Sequence, residues 1–206
     1  MKPTPDAVLT FWFPDGLAHE KDAHRQRLAW WFRGGADREI VERFVPTLEA
    51  AMAGQLDDWA GTPRGRLALI LVLDQFSRSA YRGTPRAFAQ DARAAALARE
   101  GLDNGDYEKL PHVWEKLFFT LPFSHVEDIT LQDRNVALAR ALVDEAPPQL
   151  RELYEFSLQQ TQGHRDVIAR FGRHPHRNQI LGRSSTPEEL EHLAASPPVH
   201  ERPIPT

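Results

Sequence analysis

Residues 164–183, HRDVIARFGRHPHRNQILGR, hold five arginines (Arg165, Arg170, Arg173, Arg177, Arg183), three histidines and one acid, Asp166, in a 206-residue chain whose formal charge is −4. Five positive groups against one negative give this stretch +4. Guanidinium forks match the planar oxygens of carboxylate and phosphate, and imidazoles titrate near neutrality, so such a cluster is suited to binding an anion and moving a proton. Asp166 and Arg170 are spaced to pair along a helix. Gly172 ends that helix, and Pro175 pushes His174 away from helical angles. Arg173, His174, His176, Arg177 and Asn178 are then presented on irregular backbone, where polar side chains are more often functional than on a solvated helix face. The bland alternative is a set of arginines bonding the carbonyl ends of neighbouring helices.

Two further stretches carry chemistry. LDQFSRSAYRGTPRAFAQD, residues 73–91, places Asp74, Gln75, Arg78 and Arg82 directly after an apolar run. Asp74 and Arg78 have the favourable acid-first spacing. Arg78 and Arg82 are also four apart if the helix continues, and like charges there repel unless an anion lies between them. In LPFSHVEDITLQD, residues 121–133, Ser124 and Glu127 have capping-box spacing, whereas His125 and Asp128 are not explained by a cap. His125, Glu127 and Asp128 are therefore the candidate catalytic groups, for proton transfer or metal binding, although their spacing matches no zinc signature.

The elements that must position these residues read as helices. Thr4-Pro5, Thr62-Pro63, Thr84-Pro85 and Thr186-Pro187 each pair an N-cap threonine with a proline, whose missing N–H had no partner there anyway. Thr186 and Glu189 add a capping box. Gly54, Gly101 and Gly172 are expected to close helices. Ile40, Phe44, Leu48 and Ala51 form one stripe, with Pro46 expected to kink it. RLALILVLDQF is apolar all round, as in a central buried helix. Alternating strands and hairpin signals are missing. Seven to nine helices in one all-α domain over residues 1–193 are expected, with a Pro-rich, mobile tail over 194–206.

Composition narrows the function classes. A hydrophobic fraction of 41 %, with five tryptophans and eleven phenylalanines, suffices for one core, and Trp12, Trp30 and Trp31 read as packing anchors. The pI near 6.1 argues against general nucleic-acid binding. With no cysteine, thiolate catalysis, Cys-type zinc and disulfides are excluded, consistent with a cytoplasmic setting. MKPTPDAVLTFWF is a poor signal peptide, and the run 67–73 is about a third of a membrane span. The G-x-S-x-G elbow, the Walker loop and H-E-x-x-H are missing.

The four segments VLTFWF, LDQFSRSAYRGTPRAFAQD, LPFSHVEDITLQ and RFGRHPHRNQILGRSSTPEE together resemble the DUF924 family, over about residues 6–193. The resemblance implies an all-α fold similar to the tetratricopeptide-repeat-like αα superhelix, and no established reaction. Against that family's pattern, Ser79 replaces Asn, Val126 replaces Ser and His174 replaces Phe. The reading is a concave pocket in which Arg78, Arg82, Arg173 and Arg177 bind a small carboxylate or phosphate ligand. In it His125, His164 and His176 orient the ligand, and Glu127 or Asp128 sets a tautomer or acts as base. Asp74, Gln75 and Asn178 complete the binding set, without cofactor or metal. Two alternatives are a groove for a peptide carboxylate and a metal-assisted hydrolase.

Overall fold

The computed structural model describes residues 3–15, 17 and 21–195. Its helices are α1 (Pro5–Trp12), α2 (Lys21–Phe32), α3 (Asp37–Arg43), α4 (Val45–Met52), α5 (Pro63–Leu71), α6 (Ser77–Ala80), α7 (Asp91–Asp103), α8 (Val113–Thr120), α9 (Pro122–His125), α10 (Ile129–Glu145), α11 (Arg151–Phe171) and α12 (Pro187–Ala195). Strands are absent among the described residues. Ten of these helices have seven residues or more, rather than seven to nine. One extra arises at Pro46: the expected kink is a break, with α3 ending at Arg43 and Pro46 in the first turn of α4, where its missing N–H costs nothing.

α5 is the central element. Gly65 to Leu71 are all buried, and the helix packs on α1, α7 and α8. Thr62 starts it as expected, its Oγ1 accepting from the Gly65 N–H at 3.1 Å, and Thr4 does the same for α1. The chain then widens into a π turn, Val72–Phe76, before α6 resumes α-helical bonding. A π turn inserts one extra residue into the helical register, and such turns often occur at functional sites. This one carries Asp74 and Gln75. Around α5 lies an aromatic shell: the Trp12 ring centroid is 5.7 Å from Phe76, 5.5 Å from Phe118 and 6.2 Å from Trp31.

α10 and α11, joined by the short 3-10 turn Pro148–Leu150, pack along each other, as a brief connection between long helices requires. α11 ends on Gly172 at φ 68°, a left-handed cap that glycine adopts without strain. α12 opens with the expected capping box: Glu189 N–H donates to Thr186 Oγ1 at 3.2 Å, and Thr186 N–H donates to Glu189 Oε2 at 2.8 Å. It runs to Ala195, so the expected tail begins inside it. Residues 196–206 lie outside the described residues.

Three local expectations are corrected. Gly101 does not close α7, which continues to Asp103. A Cβ there would sit 2.4 Å from the Phe119 ring and 2.6 Å from Arg66 Cδ, so close approach of elements requires this glycine. Thr84-Pro85 opens only a 3-10 turn, Pro85–Ala87, and the Thr84 hydroxyl donates to the Tyr81 carbonyl instead of capping. Ser124 and Glu127 form no capping box: Asp128 caps α10, its Oδ1 accepting from Thr130 N–H at 2.9 Å and Leu131 N–H at 3.3 Å. Asp is as good an N-cap as Ser and lies one residue before the helix, where the geometry needs it.

Candidate functional site

The three charged stretches meet. From the π turn, Asp74 is 1 % exposed and accepts at Oδ1 from Arg78 Nη1 at 3.0 Å, with His125 Nδ1 2.7 Å away. Gln75 Nε2 donates to its other oxygen. Arg78 reaches onward to α7, its Nη2 lying 2.9 Å from Asp91 Oδ1 and 3.0 Å from Oδ2. Arg177, on the 3-10 turn Pro175–Arg177, approaches Asp91 from the other side. Its Nη1 donates to Asp91 Oδ2 at 2.9 Å and to the His125 carbonyl at 2.9 Å. The Arg177 guanidinium also lies over the Phe88 ring, 4.5 Å from its centroid. Two arginines and two aspartates thus alternate around His125 with no net charge.

Burial by itself would raise the Asp74 carboxyl. The Arg78 guanidinium, with His125 and Gln75, more than offsets that and holds the group ionised, well below the usual carboxylate range. Burial and then the positive charge of Arg78 lower the His125 imidazole, outweighing the upward pull of Asp74, so the ring is neutral at neutral pH. A neutral histidine whose Nδ1–H is held by an ionised carboxylate offers its Nε2 as an acceptor.

Two neighbouring clamps brace this centre. Glu127 accepts from the His174 N–H at 2.8 Å, and Arg183 grips Glu127 bidentately at 2.8–3.0 Å while donating to the His174 carbonyl at 3.0 Å. Arg173 donates to Glu189 at 2.6 and 2.8 Å, and Asn178 Nδ2 donates to Ser185 and to Glu189. Arg173, with the Thr186 N–H and Asn178 after it, draws the Glu189 carboxyl down to about 2 against the opposing effect of burial. Four imidazoles run in file, His125 to His164 at 6.5 Å, His164 to His174 at 5.7 Å and His174 to His176 at 5.4 Å between centroids. His174 is 1 % exposed and neither ring nitrogen has a hydrogen-bond partner among the described residues; burial, then the charge of Arg177, pushes its basicity far down.

The sequence-derived residues therefore divide. Asp74, Gln75, Arg78, His125 and Arg177 share one hydrogen-bonded centre, with His164 and His176 in the imidazole file beside it. Arg173 and Asn178 face α12, and Asp128 caps α10. Arg82 stands apart: α6 ends at Ala80, so Arg82 does not stack on Arg78, and it pairs with Asp37 at the surface with 63 % of its side chain exposed. Asp166 has Arg165 beside it at 3.6 Å, while Arg170 lies over the Phe171 ring. Asp91 and Arg183, both central, were given no role by sequence reasoning: Asp91 only closes the stretch 73–91, and Arg183 is counted only among the arginines of 164–183. Among the described residues no group of three His, Asp or Glu side chains is placed to hold a metal ion, and no helix is long and apolar enough to cross a membrane.

Two clefts open beside the centre. The larger, of about 540 Å³, lies between α7, the 3-10 turn Pro85–Ala87, the start of α10 and the Arg177 turn. Its α7 wall is the stripe Asp91, Ala92, Ala95, Ala96 and Arg99, faced by Val126 and Leu131. The smaller, of about 110 Å³, lies between α2, α8, α9 and α11. His125 is common to the linings of both.

The family model described as "Bacterial protein of unknown function (DUF924)" matches residues 8–196. A solved structure, that of the protein of unknown function ATU0120 from Agrobacterium tumefaciens, is similar at 35 % identity with a TM-score of 0.73, over 93 % of this chain and 97 % of that one. No curated protein matches. A helical chain matched over nearly its whole length by one family model, and sharing its fold with a solved protein a third identical to it, belongs to the DUF924 family.

Proposed function

We propose that the larger cleft binds a small amphipathic ligand carrying an anionic group, with a carboxylate favoured over a phosphate. The arginines expected to hold the anion each have an acid already: Arg78 has Asp74 and Asp91, Arg177 has Asp91, Arg173 has Glu189 and Arg82 has Asp37. Arg99 differs. It lines the cleft, and among the described residues it has no carboxylate partner. This unpaired guanidinium carries the proposal. Asp91 and Arg99 stand eight residues apart on α7, about 12 Å along the axis at 1.5 Å per residue, with alanines between them. The ligand's apolar body lies along that floor, one polar end at His125 and Arg177 and its charge at Arg99. The cleft's volume falls within the range of small-molecule sites. Asp91, Glu127 and Asp128 also line it, which disfavours a dianionic phosphate through like-charge repulsion. A cytoplasmic setting without nucleic-acid partners belongs to the same proposal, resting on the cysteine-free, mildly acidic composition. Nothing in the geometry favours a peptide clamp or a metal-assisted hydrolase over this reading.

The test is a thermal-shift titration with mono- and dicarboxylates of increasing chain length, beside inorganic phosphate. Selective binding at a hundredfold excess over Kd stabilises the fold by about 2.7 kcal/mol. A saturable rise that lengthens with the apolar chain and is lost in Arg99→Ala is expected. Arg99 is exposed, so that substitution leaves the fold intact. Equal responses from parent and variant remove Arg99 from the site and the proposal with it.

A further inference from the structure

We infer that His125 is a general base for cleavage of a carboxylic ester held in the larger cleft, the attacking hydroxyl or water being seated in the smaller one. The inference rests on the ligand-binding reading above and gives that ligand a chemistry. Three observations carry it. First, His125 lines both clefts, so this one residue stands between what the two would hold. Second, its Nδ1 is committed to the buried Asp74 carboxylate at 2.7 Å, which fixes the tautomer that leaves Nε2 as acceptor. Third, the smaller cleft is built for a neutral hydroxyl. On α11 the Ser157 and Thr161 hydroxyls donate back to the Leu153 and Ser157 carbonyls at 3.0 Å, so their oxygens face any guest as acceptors. Gln160 Oε1, on the same lining, is buried and has no hydrogen-bond partner among the described residues. Among the described residues no acid lines this cleft and Arg33 does, so a guest ammonium is disfavoured and a neutral O–H donor favoured. A volume of about 110 Å³ admits water or a short alcohol; for scale, a cavity of roughly 150 Å³ holds benzene.

The step balances without another reactant. The guest oxygen bonds to the ester carbonyl carbon as Nε2 takes its proton. The tetrahedral intermediate then expels the alkoxide, and the imidazolium returns the proton to it. Water yields acid and alcohol; a short alcohol yields the exchanged ester. A neutral carbonyl suits this centre because its cationic groups are already compensated by Asp74 and Asp91. Asp74 is a positioning residue here, acting through His125.

Release of nitrophenolate from mono-p-nitrophenyl esters of short, medium and long dicarboxylic acids tests the inference on the full chain. Turnover is expected to rise with pH through one ionisation below neutrality and then level off. His125→Gln is expected to lower it by about a hundredfold or more, while free dicarboxylate, held by Arg99 and Arg177, still raises the melting temperature, though by less than in the parent. Asp74→Asn, which permits the wrong tautomer, is expected to lower the plateau and move the pH limb. With a short primary alcohol present, ester is expected to form at the expense of acid, and Thr161→Val is expected to shift that partition towards acid. Equal rates for parent and His125→Gln overturn the inference. So does the absence of cleavage while dicarboxylate still protects, which leaves the binding reading standing. Loss of protection as well removes both.

Discussion

At the scale of single residues, the consequence easiest to isolate is that of His174. Its ring is buried, both nitrogens lack partners among the described residues, and Arg177 adds a repulsive charge. A buried polar group without a hydrogen bond costs roughly 1–3 kcal/mol by mutational measures. His174→Phe replaces it with an apolar ring of the kind the family pattern carries at this position. The substitution is expected to stabilise the chain by that amount, which at about 2–4 °C per kcal/mol for a chain of this size is a rise of several degrees by calorimetry. A lower melting temperature would mean that the ring nitrogens are in fact bonded. His174 also shows what single residues reveal in sequence. The departure from the pattern was visible there, and so were the identities of Asp74, Arg78, His125 and Arg177. Their pairing was not, because Asp91 lies 86 positions from Arg177 and nothing local marks it.

At the scale of elements, most of what closes within one helical turn was legible, the Thr84 cap and the Ser124–Glu127 box being the exceptions. The caps at Thr4, Thr62 and Thr186 depend on a side chain three residues from its N–H, and all three form. The π turn at Val72–Phe76 was not legible, because widening a helix depends on how α5 seats against α1, α7 and α8. The same holds for Gly101, read as a helix terminator. In isolation Gly101→Ala should favour α7 by about 1 kcal/mol of helix propensity. In the fold the new Cβ meets the Phe119 ring at 2.4 Å and Arg66 Cδ at 2.6 Å. Arg66 cannot yield freely, since it donates to Asp106 at 3.0 Å and to the Ala60 carbonyl at 2.9 Å. Overpacking of about 1–3 kcal/mol therefore outweighs the propensity gain. The expected outcome is net destabilisation in urea with an unchanged slope, checked by equilibrium unfolding. A stabilised variant would show that α7 and α8 can separate.

For the whole molecule, the buried histidines govern how stability responds to acid. Burial pushes His24 down to about 4, an effect its bond to Leu17 only partly reverses, and burial likewise lowers His125 and His174. Each stays neutral in the folded chain while its unfolded counterpart titrates near 6.5. As pH falls below 6.5 the unfolded state binds protons that the folded state refuses, so stability falls with pH, by about 1.4 kcal/mol per pH unit for each histidine once its unfolded form is charged. His24 and His174 together make the slope near pH 5 about 2.7 kcal/mol per unit, and His125 acts in the same direction. The contribution is complete above neutrality and drains between pH 6.5 and the folded values. The carboxyls held low by arginines, Asp74, Glu127 and Glu189, act in a separate window: their contribution is full above about 4.5 and is lost only below that. Glu115, raised by its burial despite Arg64, works in the opposite direction and in another window: its contribution is full below about 4.5 and is lost as pH rises through its folded value. The melting temperature is therefore expected to be flat above pH 7, to fall steeply from 6.5 to 4.5, and to keep falling as the carboxyls protonate. His174→Phe should remove about one proton's worth of slope from the upper window and leave the lower one unchanged, which distinguishes the histidine effect from acid unfolding through carboxylates. Melting curves for both proteins from pH 8 to 3 at fixed ionic strength would decide it, and parallel profiles would show that His174 takes up its proton without unfolding the chain.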